Sequence, residues 1–262
     1  MPSTATTQKA RSTVSDRVIA VKALLLDDRS QLLRAVSSHL KDRSPRVREA
    51  ALEVARDEVL SELDDQIVGL ISDKNSFVRQ RAIECFGSFH EGEAIKTPWL
   101  HSLLRHPEVL TRVETLETLD QIGDKSALPA MIECLRDENY LVRSYAAISI
   151  AQLGGKKFRK QIEKASKIEE AENAKPWFAR SLLVLGDSKQ FGNLLDLLSS
   201  TSPTARCSAA NSLTAFEWSS DQLESALAAV AHASRNSLAK SDQSTMERVL
   251  KQLLEDVTAT NH

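Results

Sequence analysis

The sequence predicts an all-α fold, a solenoid of about seven stacked helical hairpins, and three observations lead there. One helix is legible end to end at residues 137–154, DENYLVRSYAAISIAQLG. Copies of its local pattern recur along the chain. The 262 residues also hold only eight Gly and seven Pro, as expected when helices dominate and loops are short. In the 137–154 stretch Asn139 can cap the helix by accepting a bond from an amide one turn in. The helix is then expected to run to Leu153 and to close at Gly154 in the left-handed conformation. Val142, Ala146, Ala147, Ile150, Ala151 and Leu153 share one side. The small pair Ala146 and Ala147 lets a neighbouring helix approach to the short end of the usual separation of about 8–10 Å.

With Arg143 as origin, the residues that align are Arg17, Arg48, Arg79, Arg112, Arg143, Lys175 and Arg206, spaced 31 to 33 residues apart. Other columns keep the same register. Val47, Val78, Thr111, Val142, Ala174 and Ala205 precede the basic residue, and small pairs such as Ala209 and Ala210 follow it by one turn. Six positions before it stand Asp42, Asp73, Asp137 and Glu169, with His106 and Ser200 breaking the column. Gly123, Gly154 and Gly186 end their helices. Because each unit of such an array packs only on its neighbours, residues 14–258 are expected to form a single body. A disordered tail is expected at 1–13 and a short C-terminal tail at 259–262.

In chain order, helices are expected near 15–26 and 29–40, then from Ser44 with Pro45 in the first turn, where its missing N–H costs little. Next come 62–71, Ser76 to Phe89, Pro98 to Arg105, Pro107 to Ile122, 126–136 and the helix already described. The polar stretch 156–174 reads as an exposed outer helix. Helices follow around Pro176, at 189–199, from Pro203 to Trp218, and at 220–233 and 242–257, the last with the decaying pattern of a unit that faces water.

The segments DKNSFVRQRAIECFG, DENYLVRSYAAISIAQLG and TSPTARCSAANSL resemble HEAT repeats, in particular the short HEAT-like variety of phycocyanobilin lyase subunits. The shared pattern is an acid, a branched residue followed by Arg, paired Ala and Leu-Gly, and it extends over about residues 14–218. The resemblance implies a curved, right-handed α-solenoid with a binding or assembly role and no particular chemistry, since one architecture hosts many functions.

Composition narrows the function classes. The formal net charge is −2, so nucleic-acid binding is a secondary alternative, because such proteins usually carry a broad basic footprint. The basic cluster Lys156, Lys157, Arg159, Lys160, Lys164 and Lys167 is interrupted by Glu163 and reads as a solvated helix face. Residues 61–140 are net acidic and 141–180 net basic, a dipolar surface suited to orienting a charged protein partner. Cys85, Cys134 and Cys207 have no metal-ligand spacing and form an odd set, which suggests reduced thiols and a cytoplasmic protein. No Gly-rich phosphate loop, nucleophile elbow or His-Glu-x-x-His is present. His90 and Glu91 form a single His-Glu pair, too few for a metal centre. The expectation is therefore a protein that is not an enzyme, with no cofactor and no membrane segment. Bilin-lyase-like and chaperone-like assembly roles are the alternatives that the resemblance suggests.

The ladder residues Arg48, Arg79, Arg112, Arg143, Lys175 and Arg206 are expected to be structural, each pairing with an acid of the same or an adjacent repeat; such a pair can be bidentate. Counting from the basic residue, apolar positions fall at minus one, three, four, seven and eight, so positions two, five and six point outward, and function then falls on that face of the inner helices. Position two holds Ala50, Arg81, Glu114, Tyr145, Trp177 and Ser208; position five holds Glu53, Glu84, Glu117, Ile148, Arg180 and Asn211. Tyr145 and Trp177 should sit side by side on adjacent repeats, with Ile148 beneath. Arg81, Glu84, Glu114 and Glu117 should flank them on one side and Arg180 on the other. An exposed aromatic cluster of this kind anchors protein interfaces, and the expected partner is another protein or a peptide.

Overall fold

The computed structural model describes residues 13–23, 28–235 and 240–260. Among the described residues there are fifteen α-helices, a few 3-10 turns and no strand. The chain divides at Glu93 into two compact units, residues 1–93 and 94–262. In the first unit, α1 (Val14–Lys22), α2 (Arg29–His39), α3 (Pro45–Asp57), α4 (Asp64–Leu70) and α5 (Ser76–Phe89) form an inner row of α1, α3 and α5, with α2 and α4 packed outside. Thr13 opens α1 with a reciprocal capping box to Asp16, and Asp28 and Asn75 cap α2 and α5. Val36, Val47, Ala51, Leu52, Ile67, Val78, Ala82 and Ile83 are fully buried between the two rows, as the 3.6-residue period requires.

The second unit repeats the plan. It contains α6 (Pro98–His101), α7 (Val109–Ile122), α8 (Leu128–Cys134), α9 (Tyr140–Gly154), α10 (Arg159–Lys167), α11 (Lys175–Val184), α12 (Gln190–Leu197), α13 (Pro203–Leu213), α14 (Ser220–Arg235) and α15 (Lys240–Thr260). The inner row runs α7, α9, α11, α13, α15, and the outer helices α8, α10, α12 and α14 each pack on the next inner one. Ala146 and Ala147 are fully buried, consistent with close packing of α9 on its neighbours. Asp124, with no exposed surface, ties the 94–97 segment to the α7–α8 turn: the Thr97 N–H donates to it at 2.8 Å and His101 Nε2 lies 2.8 Å away. Burial works against that charge, but the donors Ser126, Thr97 and His101 prevail and hold the carboxyl at about 2.

The aligned arginines share one geometry. Arg48, Arg112, Arg143 and Arg206 each donate from Nη1 to the backbone carbonyl six residues earlier, and Arg79 does so to Asp73 O. Arg48, Arg112, Arg143 and Arg206 then reach the acid of the following repeat with the same guanidinium, and Arg17 reaches one as well. Arg17 takes Asp42, Arg48 takes Asp73, Arg112 takes Asp137, Arg143 takes Glu169 and Arg206 takes Asp242. Each of the column acids also accepts the N–H two residues further on, as Asp73 does from Asn75 and Glu169 from Ala171. For Asp73 and Glu169, burial pushes the pKa up, and these hydrogen bonds outweigh it and hold the carboxyl below its ordinary range.

Several expectations change. Lys175 does not join the ladder: it is exposed at the first position of α11, and Glu169, six residues before it, is already bound by Arg143. Gly154 stays helical, with Phe158 packed so closely on it that a Cβ there would clash, and Gly155 supplies the positive φ of 69°. The helix expected from Pro107 starts at Val109 after Glu108. The helix expected over 98–105 is one α-turn followed by a 3-10 turn. The stretch 156–174 is helical only to Lys167, and Ile162 on it is fully buried. The helix from Pro203 stops at Leu213, where the Trp218 indole N–H donates back to the Leu213 carbonyl at 2.6 Å. At the chain ends, α15 continues to Thr260, while residues 1–12, 24–27 and 261–262, which include most of the expected tails and the end of the first helix, lie outside the described residues.

The ladder gives a direct stability test. Arg143 holds Glu169 through Nε and Nη2 at 2.6 and 2.7 Å, and the Glu169 side chain is 2% exposed. Arg143→Ala strands that carboxylate and should cost roughly 3–5 kcal/mol in urea unfolding, with Glu169→Gln added to Arg143→Ala recovering part of the loss. Because Glu169 is held below its usual pKa, its contribution is full above the ordinary glutamate range and declines as the pH falls through the folded value.

Candidate functional site

On the inner row of the second unit, positions two and five of α9 and α11 bring Tyr145 and Trp177 together. Their rings stack with centroids 5.3 Å apart and an interplanar angle of 28°. Buried serines on these helices bond to backbone carbonyls. The Ser181 hydroxyl donates to the Trp177 carbonyl at 2.8 Å, the Ser144 hydroxyl to the Tyr140 carbonyl at 2.8 Å, and the Ser149 hydroxyl reaches across to the Leu116 carbonyl of α7 at 3.3 Å. Tyr145, Trp177, Ile148 and Arg180 are all half-buried, so the aromatic pair is partly packing and partly surface.

The pair forms part of a groove of about 390 Å³ whose other sides are Glu117, Asp120 and Gln121 of α7, Ile148, Ser149 and Gln152 of α9, and Arg180 of α11. Two larger grooves, of about 540 and 570 Å³, lie elsewhere in the unit. The first is lined by Arg112 and Asp137, already joined in the ladder, and the second by Phe216 and Trp218 near the last helix pair. The second has an aromatic pair too, Phe216 and Trp218, tilted by 50° at 5.4 Å, but its charged lining residues, Glu217 and Asp256, are acids alone; the 390 Å³ groove joins stacked aromatics to both acid and base, a convergence of groups that marks a recognition site better than volume does.

The electrostatics are those of a partly dry acidic wall. Burial pushes the Asp120 carboxyl up to about 7, and the neighbouring Glu117 charge adds to the rise. Burial likewise raises the Tyr145 hydroxyl, with the Glu117 and Glu114 charges contributing. Glu114 is thus close enough for its charge to act on the aromatic pair.

Two expected flanking residues belong elsewhere. Arg81 and Glu84 lie on α5 in the first unit and are bound to each other there; Glu84 also takes Arg56 at 2.5 Å, and Arg81 approaches Glu53 at 3.9 Å. Position two is also less outward than its spacing suggests, since Ala50 is 2% exposed. His90 turns away from Glu91, with Nε2 3.2 Å from Asp64 and Nδ1 2.7 Å from Glu93. No group of metal-ligating side chains occurs among the described residues, and no helix among them is long and apolar enough to cross a membrane.

Asp120 is the site residue that the periodicity hides. It falls eight positions after Arg112, a column counted as apolar, and the signal that could have found it is a carboxylate among Ala151 and Leu183 at the equivalent positions.

Residues 97–182 match the family of HEAT repeats, and residues 25–55 match the HEAT repeat associated with sister chromatid cohesion. No curated protein matches the sequence. Among solved structures, the complex of CpcE and CpcF of phycocyanin lyase from Nostoc sp. PCC7120 is similar at a TM-score of 0.59 and 15% identity, over 84% of this chain and 94% of that one. YibA from Escherichia coli is similar at a TM-score of 0.50 and 16% identity, over 92% of this chain and 89% of that one. Human deoxyhypusine hydroxylase aligns at a TM-score of 0.38 and 16% identity, over 94% of this chain and 92% of that one. At these identities the likeness to the solved structures is one of fold.

The raised Asp120 carboxyl makes a pH prediction. A folded-state pKa near 7 against an ordinary carboxylate value near 4 means that stability is lost as the pH rises through that window. Asp120→Asn should therefore melt at a higher temperature than the parent at pH 8 and at the same temperature at pH 4. Glu117→Gln should lower the Asp120 midpoint followed by carboxyl NMR.

Proposed function

The chain carries HEAT repeats, and from that premise we propose that it is a non-enzymatic scaffold whose second unit holds a protein or peptide on the α7–α9–α11 face. The observation that supports this most is the half-buried Tyr145–Trp177 stack in a groove between charged walls. Large rigid aromatics lose little conformational freedom on binding, and interfaces concentrate their energy in a few such residues with polar groups around them. Ile148 extends the apolar floor, while Glu114, Glu117 and Arg180 supply a charged rim that orients the partner. Arg81 and Glu84 are left out of this surface because their charges are used within the first unit. The ladder arginines are left out too, since their guanidinium groups are bound to carbonyls and carboxylates.

A bilin-handling role rests on the shared fold with phycocyanin lyase, and the carboxylates of α7 oppose a ligand that carries carboxylates of its own. Chaperone-like assembly and signalling roles use the same docking face and differ only in the partner.

Tyr145→Ala and Trp177→Ala test the reading. Each is expected to weaken capture of the partner protein, identified by affinity purification and mass spectrometry, by at least about 2 kcal/mol, the size of an interface hot spot. The melting temperature should fall by no more than a few degrees. A large loss of melting temperature without loss of partner would mark the pair as packing and remove the proposal.

A further inference from the structure

We infer that the Tyr145–Trp177 groove receives one basic side chain from a peptide partner, arginine in preference to lysine, with its cation against the aromatic pair and facing the α7 carboxylates. This rests on the reading that the groove is the docking point, and it names the chemistry that the groove selects.

The first argument is shape. The two rings stack on one another, inclined by 28° with centroids 5.3 Å apart, so a ligand meets an outer face or edge of the pair. A planar, weakly hydrated guanidinium stacks on an aromatic face, whereas a compact ammonium keeps more of its water. The aliphatic stem of the same side chain would lie along Ile148, which lines the groove and is half-buried. A volume of about 390 Å³ is near the lower end of ligand clefts and suits one long side chain rather than a folded domain edge.

The second argument is charge. Glu117 and Asp120 line the groove on the α7 side, and Glu114 is close enough to act on the Tyr145 hydroxyl. Arg180 of α11 is the cation among the lining residues, so carboxylates outnumber guanidinium groups. Arg180 repels an incoming cation from its own wall and directs it toward α7. An anionic side chain would meet Glu117 and Asp120, and a neutral one would leave the aromatic faces without their preferred electrostatic partner.

Asp120 adds a consequence. Glu117 on its own helix is the charged group that acts on it, while Arg180 on α11 and the Tyr145 hydroxyl on α9 line the same groove. Burial pushes its carboxyl up to about 7. A guanidinium bound against the α7 wall adds a nearby countercharge and favours the ionised form. By linkage, affinity for a basic side chain then rises with pH across neutrality.

The test uses the full chain labelled with ¹⁵N and follows the indole N–H signal of Trp177, assigned by its loss in Trp177→Phe. The probes are acetylated, amidated Gly-Arg-Gly and its Lys, citrulline and Glu counterparts. The arginine peptide is expected to shift the Trp177 signal and to bind about tenfold more tightly than the citrulline peptide, at the upper range of a cation–π contact, with lysine between them. Its affinity should rise several-fold from pH 6 to pH 8, and this rise should vanish in Asp120→Asn. Equal binding of arginine and citrulline, or tighter binding of the Glu peptide, overturns the inference. So does the absence of any Trp177 shift. If Tyr145→Ala and Trp177→Ala still abolish partner capture in that case, the docking face stands and only its preference for a cation is wrong; if they do not, both readings fall.

Discussion

Four inner helices are tied to the following repeat by a guanidinium held at two points, those of Arg48, Arg112, Arg143 and Arg206. The arginine near the start of an inner helix is fixed to a carbonyl six residues back in its own chain segment, and it then reaches a carboxylate in the following repeat, as Arg48 does with Asp73 and Arg143 with Glu169. Since that carboxylate also accepts an N–H of its own loop, one acid sets both the loop before its helix and the offset between two inner helices. Where such a pair is present, its fixed hydrogen-bond directions add a geometric constraint to the apolar packing of neighbouring inner helices. The last pair, Arg206 with the fully buried Asp242, carries the same arrangement into the terminal helix.

The groove lies on three of the inner helices. Tyr145 and Trp177 each stand two residues after the aligned basic residue, Arg143 and Lys175, and they meet where α9 packs on α11. Arg143 fixes the N-terminal end of α9 to Glu169, just ahead of α11, and Ser149 ties α9 back to α7 at 3.3 Å. The resulting wall of Glu117 and Asp120 lies against an aromatic floor where water is partly excluded. Charges there interact more strongly than on open surface, and the upward shift of Asp120 is the visible effect of that exclusion.

The two units treat their inner-face charges differently. In the first, Lys22, Glu53, Arg56, Arg81 and Glu84 bind one another within the row, including Lys22 with Glu53 at 2.7 Å. In the second, the aromatic pair interrupts the charged column, and acid and base end on opposite walls of a groove. The HEAT architecture is common to both, and the difference lies in the few side chains placed at positions two and five. That is the level at which function has to be argued in a fold shared at 15–16% identity with such different proteins.

What depends on short-range periodicity and capping was legible in the residues alone. The helix Ser76–Phe89, the Asn139 cap and the first-turn prolines Pro45, Pro98 and Pro203 follow from spacing along one chain segment, because helix phase is set locally, and the repeat period aligned Tyr145 with Trp177 on successive inner helices. The tertiary structure decided matters that depend on how segments approach one another. It selected the following repeat as the source of the carboxylate for Arg17, Arg48, Arg112, Arg143 and Arg206, placed the positive φ at Gly155 rather than Gly154, and excluded Lys175 from the ladder. It also turned Asp120 from a nominally apolar position into a groove wall and committed Arg81 and Glu84 to a separate network. A sequence states which face a residue occupies within its own helix; burial, and the charge that burial governs, are properties of the neighbours that the fold brings up against it.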